Sequence, residues 1–258
     1  MEKIIFFGNG PLADYALEVL TQKFDVIFHA RNKEDLVRAV ELKQQFPEAH
    51  GVLASFGVLI KSDVLDAFEP EGILNIHPSL LPLYRGASPI ESAILAGDTE
   101  FSVSVMKLVK AMDAGPIYFQ ETLKGLPICK NEIYKALAET GAKWICENLG
   151  NLSEPVLQDD SKATFCGKLD KSMGELTPLT DTAEQTFRKI VAYQGFPKPK
   201  YTFVGKKCII IEAHVLKQGE AAVLTIPCAD GRSVAIDRLQ PEGRKIMDAK
   251  SFLNGYKK

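Results

Sequence analysis

The sequence predicts an α/β fold followed by a small β-barrel, and three observations carry that prediction. Strand-like and helix-like stretches alternate over residues 1–125. The strand-like stretches are apolar along their whole length, as in parallel strands covered on both faces. After residue 183 a single helical stretch gives way to short β-like runs at regular spacing, the pattern of a small barrel.

The elements come in this order. Lys3–Gly8 is an apolar run that ends in Gly8-Asn9-Gly10-Pro11, and Leu12–Lys23 spaces Leu12, Tyr15, Ala16, Val19 and Leu20 as a helix does. Phe24–Ala30 reads as a second strand and Glu34–Phe46 as a second helix, stopped by Pro47. Gly51–Phe56 is a third strand, Lys61–Phe68 a short helix and Ile73–His77 a fourth strand. Phe101–Val109 and Ile117–Leu123 read as strands flanking the turn Met112-Asp113-Ala114-Gly115-Pro116. Asn131–Leu149 is a long helix with Asn131 as its expected cap. Residues 150–180 lose periodicity and collect Asn, Ser, Asp, Gly and Pro, so they read as a linker. Ala183–Val191 is the last expected helix; Tyr201–Val204, Cys208–Val215, Ala221–Ile226 and Ser233–Leu239 are the β-like runs. The expected domains are residues 1–160 and 183–258, joined by 161–182.

Composition narrows the classes. The chain has 258 residues, 46% apolar and 25% charged, which excludes a disordered or fibrous chain. Its net charge of −2 gives no whole-chain argument for nucleic acid. The charge is divided unevenly, however. Residues 180–258 hold 14 Lys and Arg against 8 Asp and Glu, a net of +6, which leaves −8 on residues 1–179. A basic second domain suits an anionic partner. The five cysteines are odd in number and none has C-x-x-C spacing, and the four histidines are scattered, so neither a disulfide framework nor a metal site is expected. No basic-then-apolar leader stands at the start and no apolar stretch approaches roughly 18 residues. A cytoplasmic chain with no membrane segment is expected, and a monomer.

Two motifs compete for the chemistry. Gly8-Asn9-Gly10-Pro11-Leu12-Ala13 fits the G-x-G-x-x-A dinucleotide fingerprint between strand and helix. The second strand ends in His29-Ala30-Arg31-Asn32, without the acidic residue that would hold a ribose, so a tight strand-to-helix turn is the competing reading. The second motif is Asn75-Ile76-His77-Pro78-Ser79-Leu80-Leu81-Pro82-Leu83-Tyr84-Arg85-Gly86-Ala87-Ser88-Pro89. Asn75 and His77 lie two apart in a strand and so share a face, at the carboxyl end where open α/β sheets bind ligands. Asp113, in the later turn, is expected to hold the imidazole and raise its pKa. The three groups suit stabilisation of an oxyanion, with a protonated His77 as one donor. Satisfied core polar groups are the competing reading.

Asn75-x-His77-x-Ser79-Leu80-Leu81-Pro82-x-Tyr84-Arg85-Gly86-x-x-Pro89 together with Met112-Asp113-Ala114-Gly115-Pro116 resembles the paired signature of the folate-dependent formyltransferases. The resemblance implies a Rossmann-like formyltransferase domain with a C-terminal OB-like β-barrel. It implies Asn75, His77 and Asp113 as catalytic residues, and Ser79, Leu80, Leu81 and Pro82 beside the folate. It also implies pterin contacts from the backbone around Val58, Leu59 and Ile60. Ala163–Leu169, Ile190–Pro197 and Leu239–Met247 resemble the linker and second domain of the family's methionyl-tRNA branch. Resemblance to that branch implies 10-formyltetrahydrofolate as formyl donor, no NAD(P), no metal, and initiator methionyl-tRNA as acceptor. Arg85 is the expected contact to the acceptor end, with a structural pair to a carboxylate as its competing reading, and Lys198, Lys200, Lys206, Lys207, Arg244 and Lys245 are the expected phosphate contacts. The chain departs from the branch in three ways. Phe24–Glu34 runs from strand to helix without the expected tRNA-contacting insertion. Pro78 and Leu83 replace the usual Ala and basic residue. Phe101-Ser102 stands where Thr-Gly is frequent. A small amine, an amino sugar nucleotide or glycinamide ribonucleotide, is therefore the alternative acceptor.

Overall fold

In the computed structural model of the chain, which describes residues 1–256, the run Lys3–Gly8 forms strand β1. Its residues from Ile4 onward are buried, as an all-apolar strand requires. It is followed by α1 (Pro11–Leu20), β2 (Asp25–Ala30), α2 (Asp35–Gln45), β3 (His50–Ala54), α3 (Ser62–Ala67) and β4 (Ile73–His77). A two-residue strand, β5 (Arg85–Gly86), and helix α4 (Pro89–Ala96) come next. β6 (Glu100–Lys107), β7 (Ile117–Lys124) and α5 (Lys130–Asn148) close this run, followed by a second two-residue strand, β8 (Phe165–Cys166).

The sheet order is β2-β1-β3-β4-β6-β7. The expected parallel sheet is a mixed one: β1 to β4 run parallel, whereas β6 is antiparallel to β4 and β7 to β6. The reversal is set where β6 meets β4, after the β5 and α4 segment, and the β6–β7 hairpin then continues the antiparallel order. Alternation along β4 separates the two faces. Ile73 joins Ile5, Phe7, Leu53, Phe68 and the buried side of α2 and α3 in one core. Ile76 points the other way, against α5, where a side chain at Gly141 would meet it. Asn75 and His77 therefore share the Ile73 face. Helix α5 starts without a side-chain cap, at Cys129. Asn131, the expected cap, instead accepts a hydrogen bond from the Tyr15 hydroxyl at 3.1 Å through Oδ1.

The described chain divides into two units, Met1–Ile90 with Thr99–Gly167, and Glu91–Asp98 with the chain from Lys168 onward. The second contains α6 (Ala183–Ala192), β9 (Lys200–Phe203), β10 (Lys206–Val215), β11 (Thr225–Pro227), β12 (Ser233–Pro241), β13 (Met247–Asp248) and α7 (Ala249–Tyr256). Thr182 caps α6 in a reciprocal box with Gln185. The strands form one antiparallel sheet in the order β11-β12-β10-β9, with β13 on β12. Irregularities in the β10–β12 register between Ile210 and Ala213 bend the long strands, and the sheet curls into the OB-like form around Ile210, Val234, Ile236, Leu239 and Phe252. No helix among the described residues is long and apolar enough to cross a membrane.

The segment read as a linker is built into the first unit up to Gly167. Val156 bridges to Ile117, and β8 pairs in parallel with β5. Neither contact has a local signature, since each joins residues far apart in sequence.

Candidate active site

The site begins at the carboxyl end of β4, between a parallel and an antiparallel neighbour. Register places Leu53 of β3 and Met106 of β6 on either side of Asn75, and Ser104 of β6 beside His77. Asn75 is 4% exposed, yet its side-chain amide forms no hydrogen bond among the described residues, and none of its polar atoms is sealed from solvent. A buried amide is nearly always partnered inside a protein. This one is partnered by no group of the described residues and is open to solvent.

His77 is equally buried, at 4% exposed. Its Nε2 lies 3.1 Å from the Tyr84 carbonyl oxygen. A carbonyl only accepts, so Nε2 carries the proton and the neutral ring has its lone pair on Nδ1. Nδ1 faces the Asp113 Oδ1 at 3.7 Å, a charge contact too long for a hydrogen bond. The expected rise in the His77 pKa does not occur. Burial pushes it down, and the Asp113 carboxylate and the Tyr84 carbonyl only partly oppose that shift. At rest the imidazole is held neutral, and the reason is desolvation.

Asp113 stands in the turn between β6 and β7 with φ of 49°, in the left-handed region that a non-glycine residue rarely adopts. Its Oδ2 accepts the Gly86 backbone N–H at 2.8 Å. The carboxylate is thereby aimed with one oxygen at the β5 backbone and the other at His77.

The loop after β4 is anchored from beneath by Ser104, a residue that the sequence did not single out. Its Oγ donates to the Ser79 carbonyl at 2.6 Å and accepts from the Leu81 N–H at 3.1 Å and the Gln120 amide at 2.9 Å. The Ser79 hydroxyl donates to the Leu83 carbonyl at 2.6 Å. These bonds bury Ser79 and Leu81, leave Pro82 half-buried and turn Leu80 outward, 40% exposed. The loop after the adjacent strand β3 rises from the same sheet edge. There Ile60 is buried, Val58 half-buried and Leu59 exposed. Among the described residues, the backbone N–H and C=O groups of Val58, Leu59 and Ile60 make no hydrogen bonds within the chain. Unpaired main-chain groups beside an apolar surface suit the edge of a flat heterocycle.

Of the two readings of Arg85, the structure shows the pairing with a carboxylate. Arg85 is 4% exposed, and its Nη2 donates to Asp160 Oδ1 and to Gln158 Oε1, each at 2.7 Å, while its Nε donates to the same Gln158 oxygen at 3.0 Å. A guanidinium enclosed in this way builds the site and does not reach for an acceptor. The glycine loop also has a structural account: a side chain at Gly8 would collide with the Ala54 carbonyl and Ala13. Among the described residues no group of three or more His, Cys, Asp or Glu is placed to hold a metal ion.

Of the expected phosphate contacts, Lys206, Lys207, Arg244 and Lys245 gather at one end of the curled sheet. Cys208 pairs with Pro241, and the Glu242 N–H donates to the Lys207 carbonyl at 3.0 Å. Lys198, Lys206, Arg244 and Lys245 are exposed. Lys207 and Lys200 both face Glu175, at 2.6 Å and 3.8 Å, which cancels part of their charge.

An amide and an imidazole at the end of one strand and a carboxylate in a nearby turn thus stand together on a Rossmann-like sheet. Residues 15–149 match the family described as formyl transferase, and residues 168–257 match the formyl transferase C-terminal domain. The chain belongs to the formyltransferase family. It is 37% identical over 213 residues to the methionyl-tRNA formyltransferase of Jannaschia sp. (strain CCS1), covering 79% of this chain and 69% of that one. It is 38% identical over 221 residues to the enzyme of the same name from Carboxydothermus hydrogenoformans, covering 80% and 71%. Among solved structures, HypX from Aquifex aeolicus in complex with tetrahydrofolic acid superposes with a TM-score of 0.77 at 18% identity, over 100% of this chain and 48% of that one. The methionyl-tRNA formyltransferase from Clostridium thermocellum gives 0.69 at 18%, over 96% and 100%. WlaRD, a sugar 3N-formyl transferase, gives 0.67 at 15%, over 95% and 99%. At these identities the structural matches speak for the fold alone.

Proposed function

We propose that the chain transfers the formyl group of 10-formyltetrahydrofolate to the amino group of methionine on initiator tRNA. The observation that carries the chemistry is the unpartnered Asn75 amide beside a neutral His77 that faces Asp113. The sequence relatives, named methionyl-tRNA formyltransferases at 37% and 38% identity, support the acceptor.

The residues present fit the donor. The free main-chain groups at Val58–Ile60 and the outward Leu80 offer a polar edge and an apolar wall for a pterin. The donor supplies an electrophilic formyl carbon and leaves as tetrahydrofolate. Asn75 donates a hydrogen bond to the formyl oxygen and stabilises the charge that develops there. His77 takes the proton that the attacking amine sheds, at Nδ1, the ring position left bare by the Tyr84 bond. The resulting imidazolium keeps its bond to the Tyr84 carbonyl and presents a second N–H toward the Asp113 carboxylate, which favours the charged ring. From Nδ1 the proton passes to the departing donor nitrogen, so the proton lost by the amine balances the one gained by tetrahydrofolate. Lys206, Arg244 and Lys245, with Lys198 nearby in sequence, supply the charge for tRNA phosphates.

The deciding experiment gives the purified chain 10-formyltetrahydrofolate with charged initiator tRNA and, separately, with an amino sugar nucleotide and glycinamide ribonucleotide. Formylmethionyl-tRNA is the expected product. Formylation of a small amine with none on tRNA would overturn the acceptor while leaving the transfer chemistry standing.

A further inference from the structure

We infer that Gln158 is a positioning residue for Asp113, held in its working orientation by Arg85. This rests on the transfer reading above. The Gln158 Nε2 donates to the Asp113 carbonyl at 2.9 Å and to the Gly115 carbonyl at 2.7 Å, so a single amide nitrogen spans the turn that carries the carboxylate. The Gln158 Oε1 is occupied by two donors from Arg85, at 3.0 Å and 2.7 Å. An oxygen facing a guanidinium forces the amide nitrogen toward the carbonyls, and the flipped amide would lose every one of these bonds. Asp160 accepts from the same guanidinium and completes the brace.

The turn needs such a brace. Asp113 lies at φ of 49°, a conformation it does not favour unaided. Gly115 passes so close to the Lys107 carbonyl that no side chain fits there. Arg85 also precedes Gly86, whose N–H binds the Asp113 carboxylate at 2.8 Å. One dipeptide, Arg85-Gly86, thus holds Asp113 from both ends: the carboxylate directly, and the main chain through Gln158. A slip of about 1 Å in a positioned group can cost 10² in rate. With the carboxylate at 3.7 Å from His77, little latitude remains before their interaction is lost.

The test replaces Gln158 with Met, which keeps the length of the side chain and removes its hydrogen bonds. In the full chain, kcat is expected to fall about 10- to 10²-fold with the donor KM within twofold. The His77 ring, followed by NMR without any substrate, is expected to titrate at lower pH, because the carboxylate that opposes its desolvation has moved. In an Asp113→Asn background Gln158→Met is expected to add almost nothing, since both act through one group. A folded Gln158→Met protein with unchanged His77 titration, or with full additivity on Asp113→Asn, overturns the assignment. Should Gln158→Met fail to fold, Arg85→Lys loosens the same amide while keeping its charge and is judged by the same titration. The NMR arm needs no acceptor, so a wild-type protein that leaves methionyl-tRNA untouched refutes the function and not the brace.

Discussion

Removing the Asn75 amide separates catalysis from folding more cleanly than any other change at this site. In Asn75→Ala the deleted group has no hydrogen-bond partner among the described residues, so its loss strands no buried donor or acceptor. What remains is a small void between Leu53 and Met106, and a cost near the common value of about 1 kcal/mol. For a chain of this size that lowers Tm by roughly 2–4 °C. Loss of a donor aimed at a developing oxyanion costs about 10²–10³ in kcat, or roughly 2.7–4 kcal/mol. The two effects differ enough in size to be read independently. Steady-state formylation gives kcat and the donor KM, and a thermal melt gives Tm; kcat is expected to fall by the stated factor while KM hardly moves and Tm falls only by those few degrees. Asn75→Asp sharpens the test. It is nearly isosteric, cannot donate when ionised and places negative charge against the formyl oxygen, so its loss in kcat is expected to exceed that of Ala. A kcat within about threefold of wild type for Asn75→Ala would falsify the oxyanion role, and so would an Asp variant more active than the Ala one.

The other residues lead to shorter tests. Asp113→Asn removes the carboxylate that raises the His77 pKa against burial, so that pKa falls further and the limb of the kcat profile that requires a neutral His77 moves to lower pH; an acid limb that stays in place refutes the pairing. Ser104→Ala leaves the Ser79 carbonyl and the Leu81 N–H without their hydroxyl partner, costs about 1–3 kcal/mol and is expected to raise the donor KM more than it lowers kcat; equal KM values in the two proteins refute the anchoring role. For tRNA, Lys206→Ala is expected to flatten the salt dependence of binding by about one unit of slope. Glu175→Gln, which frees Lys207 and Lys200, is expected to steepen it. Filter binding over a salt series checks both, and parallel slopes for all three proteins place the phosphate contacts elsewhere.

What the sequence disclosed depended on whether a feature was local. The bounds of β1 and β4 were legible to the residue because each is a short β-like run with a turn signal behind it, Gly8-Asn9-Gly10 after β1 and Pro78 after β4. The reversal at β6 was not, since the pairing of β6 with β4 joins residues far apart in sequence, His77 with Ser104 among them. Strands β5 and β8 were missed because neither has a pattern: they exist only through each other. Asn75, His77 and Asp113 were legible as polar groups at strand ends and in a turn. Ser104 was within reach as well. β6 alternates Phe101, Val103 and Val105 with Ser102 and Ser104, and that polar face is the one that meets His77. Gln158 lay in a stretch read as linker, where polar residues without periodicity promise nothing. The state of His77 was misjudged for a related reason: the sequence displayed the nearby carboxylate and concealed the depth of burial.

The same geometry bears on how an acceptor is chosen. The groups proposed to act on the formyl transfer, Asn75, His77 and Asp113, all lie in the first unit, and none of them contains information about what the amine is attached to. The connection from β2 to α2 is only Arg31–Glu34, and it is closed on itself: the Arg31 and Asn32 N–H groups donate to Asp35, and the Asp35 N–H donates to Asn32. It has no length with which to follow a nucleic acid. Arg85, the one cation in the central motif, is enclosed by Gln158 and Asp160. The exposed cations Lys206, Arg244 and Lys245 lie in the second unit. Recognition of tRNA by this chain should then be mostly electrostatic and carried by the second unit. Salt would raise the KM for tRNA steeply and leave kcat at saturation almost unchanged. An enzyme that read its acceptor at the catalytic face would show the opposite division.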